Sequence, residues 1–316
     1  MKRLSKGVDR TVMAAAIQSA RRLPPPVLET AFAGVGLLQG VLRPSRGRRA
    51  YRWASGLEPP GLRRWQLAAA VLANRGRVIA ISGLPALVPP ETFRRHVTIE
   101  GTEHLAAAAQ RGGTILLGLH VLPGVATLAL AAHGYRLVPT GMAGAFKGWT
   151  LAEASWAPLL DEWRRGILWR DERSAAGGLA HLRGLLLRGA TVHLTADGPF
   201  GREAFRISLP AGALVVRSGW WTLRRLTRAT TLPILARRDG RRLVVAVHAP
   251  LPEPTDDPGD DVRACRAALV PLVAELVRRA PAQCEALASW PDTPTATAVP
   301  RQSASEAALS DVTMRP

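Results

Sequence analysis

Lysine is nearly missing from this chain: Lys2, Lys6 and Lys147 are the only ones among its 42 basic side chains. Acidic residues are scarce as well, 24 in 316 positions, so a formal net charge of +18 rests almost wholly on arginine. An arginine bias of this kind also follows from a GC-rich genome. Two clusters nevertheless stand out, "RPSRGRRAYRW" at 43–53 and "TLRRLTRATTLPILARRDGRR" at 222–242. Positive charge of this density attracts polyanions, meaning nucleic acid, an anionic lipid surface or an acidic carrier protein. Cysteine is confined to Cys265 and Cys284, with no CxxC and no Cys/His ligand spacing. That argues against a disulfide framework and a zinc site, and fits a reducing compartment. With no dinucleotide glycine motif either, neither a metal nor an organic cofactor is expected.

Long apolar runs are lacking too. The longest, Pro24 to Leu42, is broken by Glu29, Gln39 and three glycines, short of the ~20 uninterrupted apolar residues of a spanning helix. It reads as a helix that lies on something. The first 22 residues, interrupted by Asp9 and Gln18, have no apolar core with a cleavage site, so the expected location is the cytoplasmic side.

What is present is enough apolar content, 47%, to bury a full core. Residues 1–90 follow a helical pattern with proline punctuation at "LPPP", "RPSRG" and "LEPPG"; within "GLRRWQLAAAVLANRGRVIAISGL" the apolar residues recur near helical period with arginines to one side. From about 91 to 290 strands and helices alternate. Thr102 is the expected N-cap of the helix that ends at Gly112 and Gly113. Strands are expected at 114–119, 135–141, 167–169 and 191–198, with helices over 151–166 and the stretch "SAAGGLAHLRGLLLRG" between them. A loop then reaches Leu209, a helix crosses 213–229, and two strands around Asp239 and Gly240 pair antiparallel before a last helix. The fold class is therefore α/β, a mixed, mostly parallel sheet flanked by helices and preceded by an N-terminal helical region. Residues 291–316 are polar, proline-bearing and aperiodic, which predicts a disordered tail. No internal repeat occurs.

His120 stands where the apolar strand "GGTILLGLH" opens through "VLPG" into an apolar helix. The carboxyl ends of strands in open α/β sheets face the crevice where ligands bind. A buried histidine bonded to a loop carbonyl is the alternative role.

Three segments, in this order, resemble the lysophospholipid acyltransferase superfamily, in particular the branch of the lipid A late acyltransferases and the phosphatidylinositol mannoside acyltransferases. "VTIEGTEHLAAAAQRGGTILLGLHVLPGVATLALAAHG" is similar to the family's catalytic-histidine block. "GLLLRGATVHLTADGPFG" is similar to its L-x-x-G-x-x-V-x-x-x-x-D-x-x-x-G block, and "SGWWTLRRLTRATTLPILARRDGRRLVVAVHAPLP" to its final strand pair. "ELVRRAPAQCEALASW" more weakly resembles a C-terminal R-x-x-P-x-Q helix end. The resemblance covers roughly residues 97–290 and implies that His120 takes the proton of an acceptor hydroxyl as it attacks an acyl thioester. The donor would be acyl-CoA or acyl carrier protein, and the acceptor a membrane glycolipid or lysophospholipid. The protein would then be a lipid-biosynthesis transferase bound peripherally or monotopically to the cytoplasmic face of a bacterial inner membrane.

One departure is serious. The family carries an Asp or Glu five positions after its histidine, and here Val125 occupies that position. Asp197, ending a neighbouring strand, is the leading substitute, with turn formation in "DGP" as its other role; Glu203, Asp161 and Glu162 are poorer candidates. If Asp197 has taken over, Asp197→Ala collapses activity; if His120 lacks a good partner, Val125→Glu raises it. If no carboxylate reaches the ring, the chain is an impaired, lipid-binding relative. Substrate contacts are expected from Gly198, Gly201, Arg202 and Arg206, whose loop can offer guanidinium forks to a phosphate, and from Arg170, with Arg164 and Arg165 nearby. Trp149, Trp156, Trp163 and Trp169 read equally as core or as an acyl-chain wall, and His133, His181 and His193 as structural. Nucleic-acid binding is the rival class for so basic a chain, but no helix-turn-helix, aromatic strand pair or paired zinc ligands accompany the charge.

Overall fold

Runs of Val, Ile, Leu and Thr bounded by glycine recur from residue 97 to 247, and each becomes a strand. The structure is a computed structural model that describes residues 25–83, 88–122, 124–142, 156, 167–169, 172–198 and 201–288. The strands are β1 (Val97–Glu100), β2 (Thr114–Gly118), β3 (Val138–Met142), β4 (Ile167–Trp169), β5 (Thr191–Thr195), β6 (Glu203–Leu209), β7 (Gly212–Arg217), β8 (Thr230–Asp239) and β9 (Arg242–Val247). Seven form one sheet in the order β1-β9-β8-β2-β5-β3-β4. Every neighbouring pair is parallel except β8 and β9, which a two-residue turn at Gly240 and Arg241 joins antiparallel, as the sequence implies.

The central strand β2 is buried along its whole length, which requires a helical layer on each face. Alternate residues serve the two layers. Ile115 and Leu117 join one apolar core with Val192, Leu194, Trp53 and Val71, while Leu116 joins the other with Leu128, Ile234 and Val245. The helices are α1 (Pro25–Leu42), α2 (Pro44–Leu57), α3 (Leu62–Gly83), α4 (Pro90–His96), α5 (Thr102–Ala109), α6 (Val125–Ala132), α7 (Glu172–Leu187), α8 (Gly219–Thr227) and α9 (Pro258–Arg279). The cap of α5 is Gly101, with φ 75°, and Thr102 is its first helical residue.

The expected loop to Leu209 and helix over 213–229 are corrected. Residues 203–217 form an antiparallel hairpin of β6 and β7, and only 219–227 is helical. The physical reason is a period of two: Phe205 and Ile207 are buried while Glu203, Arg206 and Ser208 are exposed, and Pro210 and Ala211 make the turn. The helix expected over 151–166 and the tail at 291–316 lie outside the described residues.

Helices α1 and α3 meet through glycine. A Cβ on Gly36 would stand 2.2 Å from the Leu72 carbonyl oxygen, and one on Gly76 1.7 Å from that of Phe32, so the two backbones approach as only glycine allows. The N-terminal helices are also tied to β8 and to the segment that follows α9. Trp53, on α2, donates from Nε1 to the Pro281 carbonyl at 2.8 Å, and Arg238 pairs with Glu29 at 2.7 Å. Among the described residues no helix is long and apolar enough to cross a membrane.

Candidate functional site

Strands β2 and β5 run parallel in register, Gly118 beside Thr195, so the residues that follow each strand emerge side by side at the sheet's carboxyl edge. His120 follows β2 and Asp197 follows β5. The Asp197 side chain is fully buried, and its Oδ1 lies 3.1 Å from Nδ1 of His120. The same carboxylate accepts the His120 backbone N–H, at 3.0 Å to Oδ1 and 3.3 Å to Oδ2. The carboxylate therefore holds both the backbone and the ring of one residue. Burial pulls the His120 pKa down, but the charge and hydrogen bonds of Asp197 outweigh it and raise it above the usual 6.5. The ring keeps partial access to solvent, with 24% of the side chain exposed.

The turn after His120 is strained. Leu122 is buried and held at φ 52°, a left-handed conformation that costs a non-glycine residue about 1–2 kcal/mol. Its carbonyl accepts the Val125 N–H at 3.1 Å, which starts α6. Such outliers persist only where the surroundings over-determine them, and they cluster at functional sites.

His193 lies beneath the pair. A Cβ on Gly118 would stand 2.7 Å from its Nε2, so the glycine of "LLGLH" is what admits that ring between the strands. Nδ1 of His193 bonds the Thr127 hydroxyl at 2.9 Å. Burial, with a smaller contribution from His120, lowers its pKa to about 4. It is thus a neutral strut under α6, in keeping with the structural role read for it. His133 bonds the Ala129 carbonyl within its own helix, and His181 is exposed on α7.

Gly198, next to Asp197, comes close to the ring: a Cβ on it would stand 3.7 Å from Cε1 of His120. Arg217, which the sequence reading missed, holds this loop by donating from Nε to the Gly198 carbonyl at 2.8 Å and from Nη1 to that of Gly201 at 3.4 Å. Its signal was its place at the end of the overlooked hairpin. Gly201 and Arg202 are exposed. Arg206 forks onto Glu203 at 2.8 and 2.9 Å on the surface. Trp156 is a core residue, bonded to the Val88 carbonyl at 2.8 Å and set edge-on to Phe93. Asp161, Glu162, Arg164, Arg165, Arg170, Trp149 and Trp163 lie outside the described residues.

A cavity of about 410 Å³ adjoins His120. The sequence reading missed its walls too: Gln39, Arg46, Arg49, Asn74 and Arg75 from the N-terminal helices, and Gln283 and Glu285 from the segment that follows α9. No group of three His, Cys, Asp or Glu side chains placed to hold a metal occurs among the described residues. Chemically, the arrangement is a carboxylate-oriented imidazole lining a cavity of mixed polar and apolar walls, a constellation suited to general-base catalysis. The chain matches no known family model and no curated protein.

Val125 is 2% exposed inside the apolar core that contains Leu128 and Leu130. Burying a carboxylate there without a partner is expected to destabilise the fold by about 2 kcal/mol or more. Val125→Glu should therefore lower the urea midpoint without raising any activity, because Asp197 already occupies the place beside the ring. Unchanged stability with increased activity would show that the acid belongs on α6.

Proposed function

We propose that this protein is an acyltransferase that moves a fatty acyl group from an acyl thioester, acyl-CoA or acyl carrier protein, to a hydroxyl of a membrane glycolipid or lysophospholipid. The observation that carries the reading is the 3.1 Å contact between His120 Nδ1 and Asp197 Oδ1 at the carboxyl edge of a parallel sheet. It supplies the orienting acid that Val125 does not, so the departure from the resembled H-x4-D/E pattern no longer argues against chemistry. With Asp197 holding Nδ1, His120 accepts the hydroxyl proton at Nε2. The alkoxide attacks the thioester carbonyl, and the thiolate leaves with a proton returned from the imidazolium. Asp197 stabilises that cation while it lasts. A general base in reach of its proton contributes about 10²–10⁴-fold.

This reading predicts a pH dependence whose sign follows from the raised pKa of His120. The base acts only when deprotonated, so kcat/KM should rise with pH through a value above 6.5 and level off beyond it. His120→Ala should lower the plateau by about 10²–10⁴-fold with the fold intact. Asp197→Asn removes the charge that raises the pKa and leaves burial, which lowers it, so the rising limb should move to lower pH while the plateau falls. Acyl transfer undiminished in His120→Ala would remove the mechanism. A chain inert with every thioester would favour the impaired lipid-binding relative.

A membrane location is supported by a surface on the N-terminal helices. Leu38, Val41 and Leu42 of α1 are 57%, 77% and 70% exposed, and Leu62 and Trp65 of α3 are 73% and 62% exposed. Leu38, Val41 and Trp65 line an apolar groove of about 960 Å³ that Arg48 and Arg52 also line. Apolar residues edged by arginine suit the interface of an anionic membrane. Co-sedimentation with phosphatidylglycerol vesicles should weaken with salt, and Leu38→Ser with Trp65→Ser should remove most of it. Equal binding to neutral vesicles, together with salt-sensitive binding to DNA, would favour a nucleic-acid partner instead.

A further inference from the structure

Helices α1, α2 and α3 line two separate spaces. The cavity beside His120 and the groove of about 960 Å³ have no lining residue in common. Neighbouring positions of α2 divide between them: Arg46 and Arg49 line the cavity, whereas Arg48, Tyr51, Arg52 and Ser55 line the groove. The four groove positions recur at spacings of three and four, and so share one face of the helix. The other walls come from Leu37, Leu38 and Val41 of α1 and from Trp65, Ala69 and Leu72 of α3.

Two features of the groove point to its occupant. The first is an uncovered apolar wall. The rings of Tyr51 and Trp65 lie 4.6 Å apart between centroids, and Leu38, Val41 and Trp65 are each more than half exposed. Contiguous apolar surface of this kind marks a site of interaction. The second is charge of one sign. Arg48 and Arg52, one helical turn apart, are exposed and engaged by no carboxylate among the described residues. Glu58 is the only acidic residue between positions 30 and 90, and it does not line the groove. An apolar chain that carries an anionic phosphate answers both features: the chain covers the wall, and guanidinium forks match the phosphate oxygens. The indole of Trp65 suits the boundary between chain and headgroup. The groove volume falls within the ~300–1,000 Å³ of small-molecule sites.

We infer that the groove between α1, α2 and α3 binds one anionic phospholipid of the membrane, an acyl chain against Leu38, Val41 and Trp65 and the phosphate on Arg48 and Arg52. The inference rests on the membrane location proposed above and goes further, from a surface that adsorbs to a groove that holds a single lipid. Because the groove shares no wall residue with the cavity at His120, this lipid is an anchor and not the reacting acceptor.

The test is a fluorescence titration of the full chain with lysophosphatidylglycerol that carries a brominated acyl chain, kept below its critical micelle concentration, beside the matching lysophosphatidylcholine. Bromine quenches tryptophan only at close range, so the readout reports the chain's position. The anionic lipid should quench saturably, and Trp65→Phe should remove most of that quenching. Arg48→Gln with Arg52→Gln should weaken its binding about tenfold, to near that of the zwitterionic lipid, as expected for bonds to a charged group. Ala69→Phe, at an exposed position of the wall, should fill the chain site and weaken both lipids. The groove is overturned if quenching does not saturate or survives Trp65→Phe. It is equally overturned if the glutamine or Ala69→Phe variants bind as tightly as the parent, or if the two lipids bind alike. A lipid-free dimer that Leu38→Ser with Trp65→Ser converts to monomer would assign the groove to a second copy of the chain, and overturn it too. Vesicle co-sedimentation without saturable quenching would keep the membrane location and overturn the groove. Saturable quenching in a chain that vesicles do not carry down would do the reverse.

Discussion

The buried carboxylate of Asp197 accepts the backbone N–H of His120 and lies against its ring, and so joins the ends of β2 and β5 at one point. Removing a carboxylate from water is costly unless hydrogen bonds and a counter-charge compensate. Here both come from the same residue. The contact fixes the turn that carries Leu122 at positive φ, and that turn leads into α6, which His193 supports from below through Thr127. It also divides two histidines that are near one another. Asp197 raises the pKa of His120, whereas burial lowers that of His193 to about 4. Pairs of titratable groups pushed apart by their surroundings are a mark of acid–base sites.

The two arginine clusters of the sequence do different work. Most of the cluster at 222–242 holds the fold together. Arg224 is buried with Asp261 at 2.6 Å, Arg225 reaches the same carboxylate, Arg237 pairs with Glu100 and Arg238 with Glu29. The cluster at 43–53 lies on α2 and contributes to two cavities. Arg46 and Arg49 line the cavity beside His120, and Arg48 and Arg52 line the apolar groove. Helix α2 thus supplies arginine side chains to both spaces.

Much of this site was legible because its signals are local. A β-prone run that ends in glycine announced β2, and the strand–turn pattern of "TVHLTADG" put Asp197 at the same edge as His120. The antiparallel pairing of β8 and β9 followed from a two-residue turn. The hairpin β6–β7 was missed although its alternation is also local, because the apolar run "ALVV" was joined to the helix after it. The walls of the cavity were not legible at all, since they depend on contacts across the length of the chain. Arg75 meets Glu285, and Trp53 meets Pro281. Gln283, part of the weakest sequence resemblance, accepts the Arg238 N–H at its Oε1 and donates from Nε2 to the Arg238 carbonyl, each at 2.8 Å. Its signal could be read, but not its partner.

The coupling of His120 to Asp197 is open to direct observation by an NMR titration of the imidazole resonances in the full-length protein. The account predicts one histidine that titrates above 6.5 and falls below that value in Asp197→Asn, beside a second, His193, that stays neutral down to about pH 4. A His120 resonance that titrates at the same pH in the parent and in Asp197→Asn would contradict it.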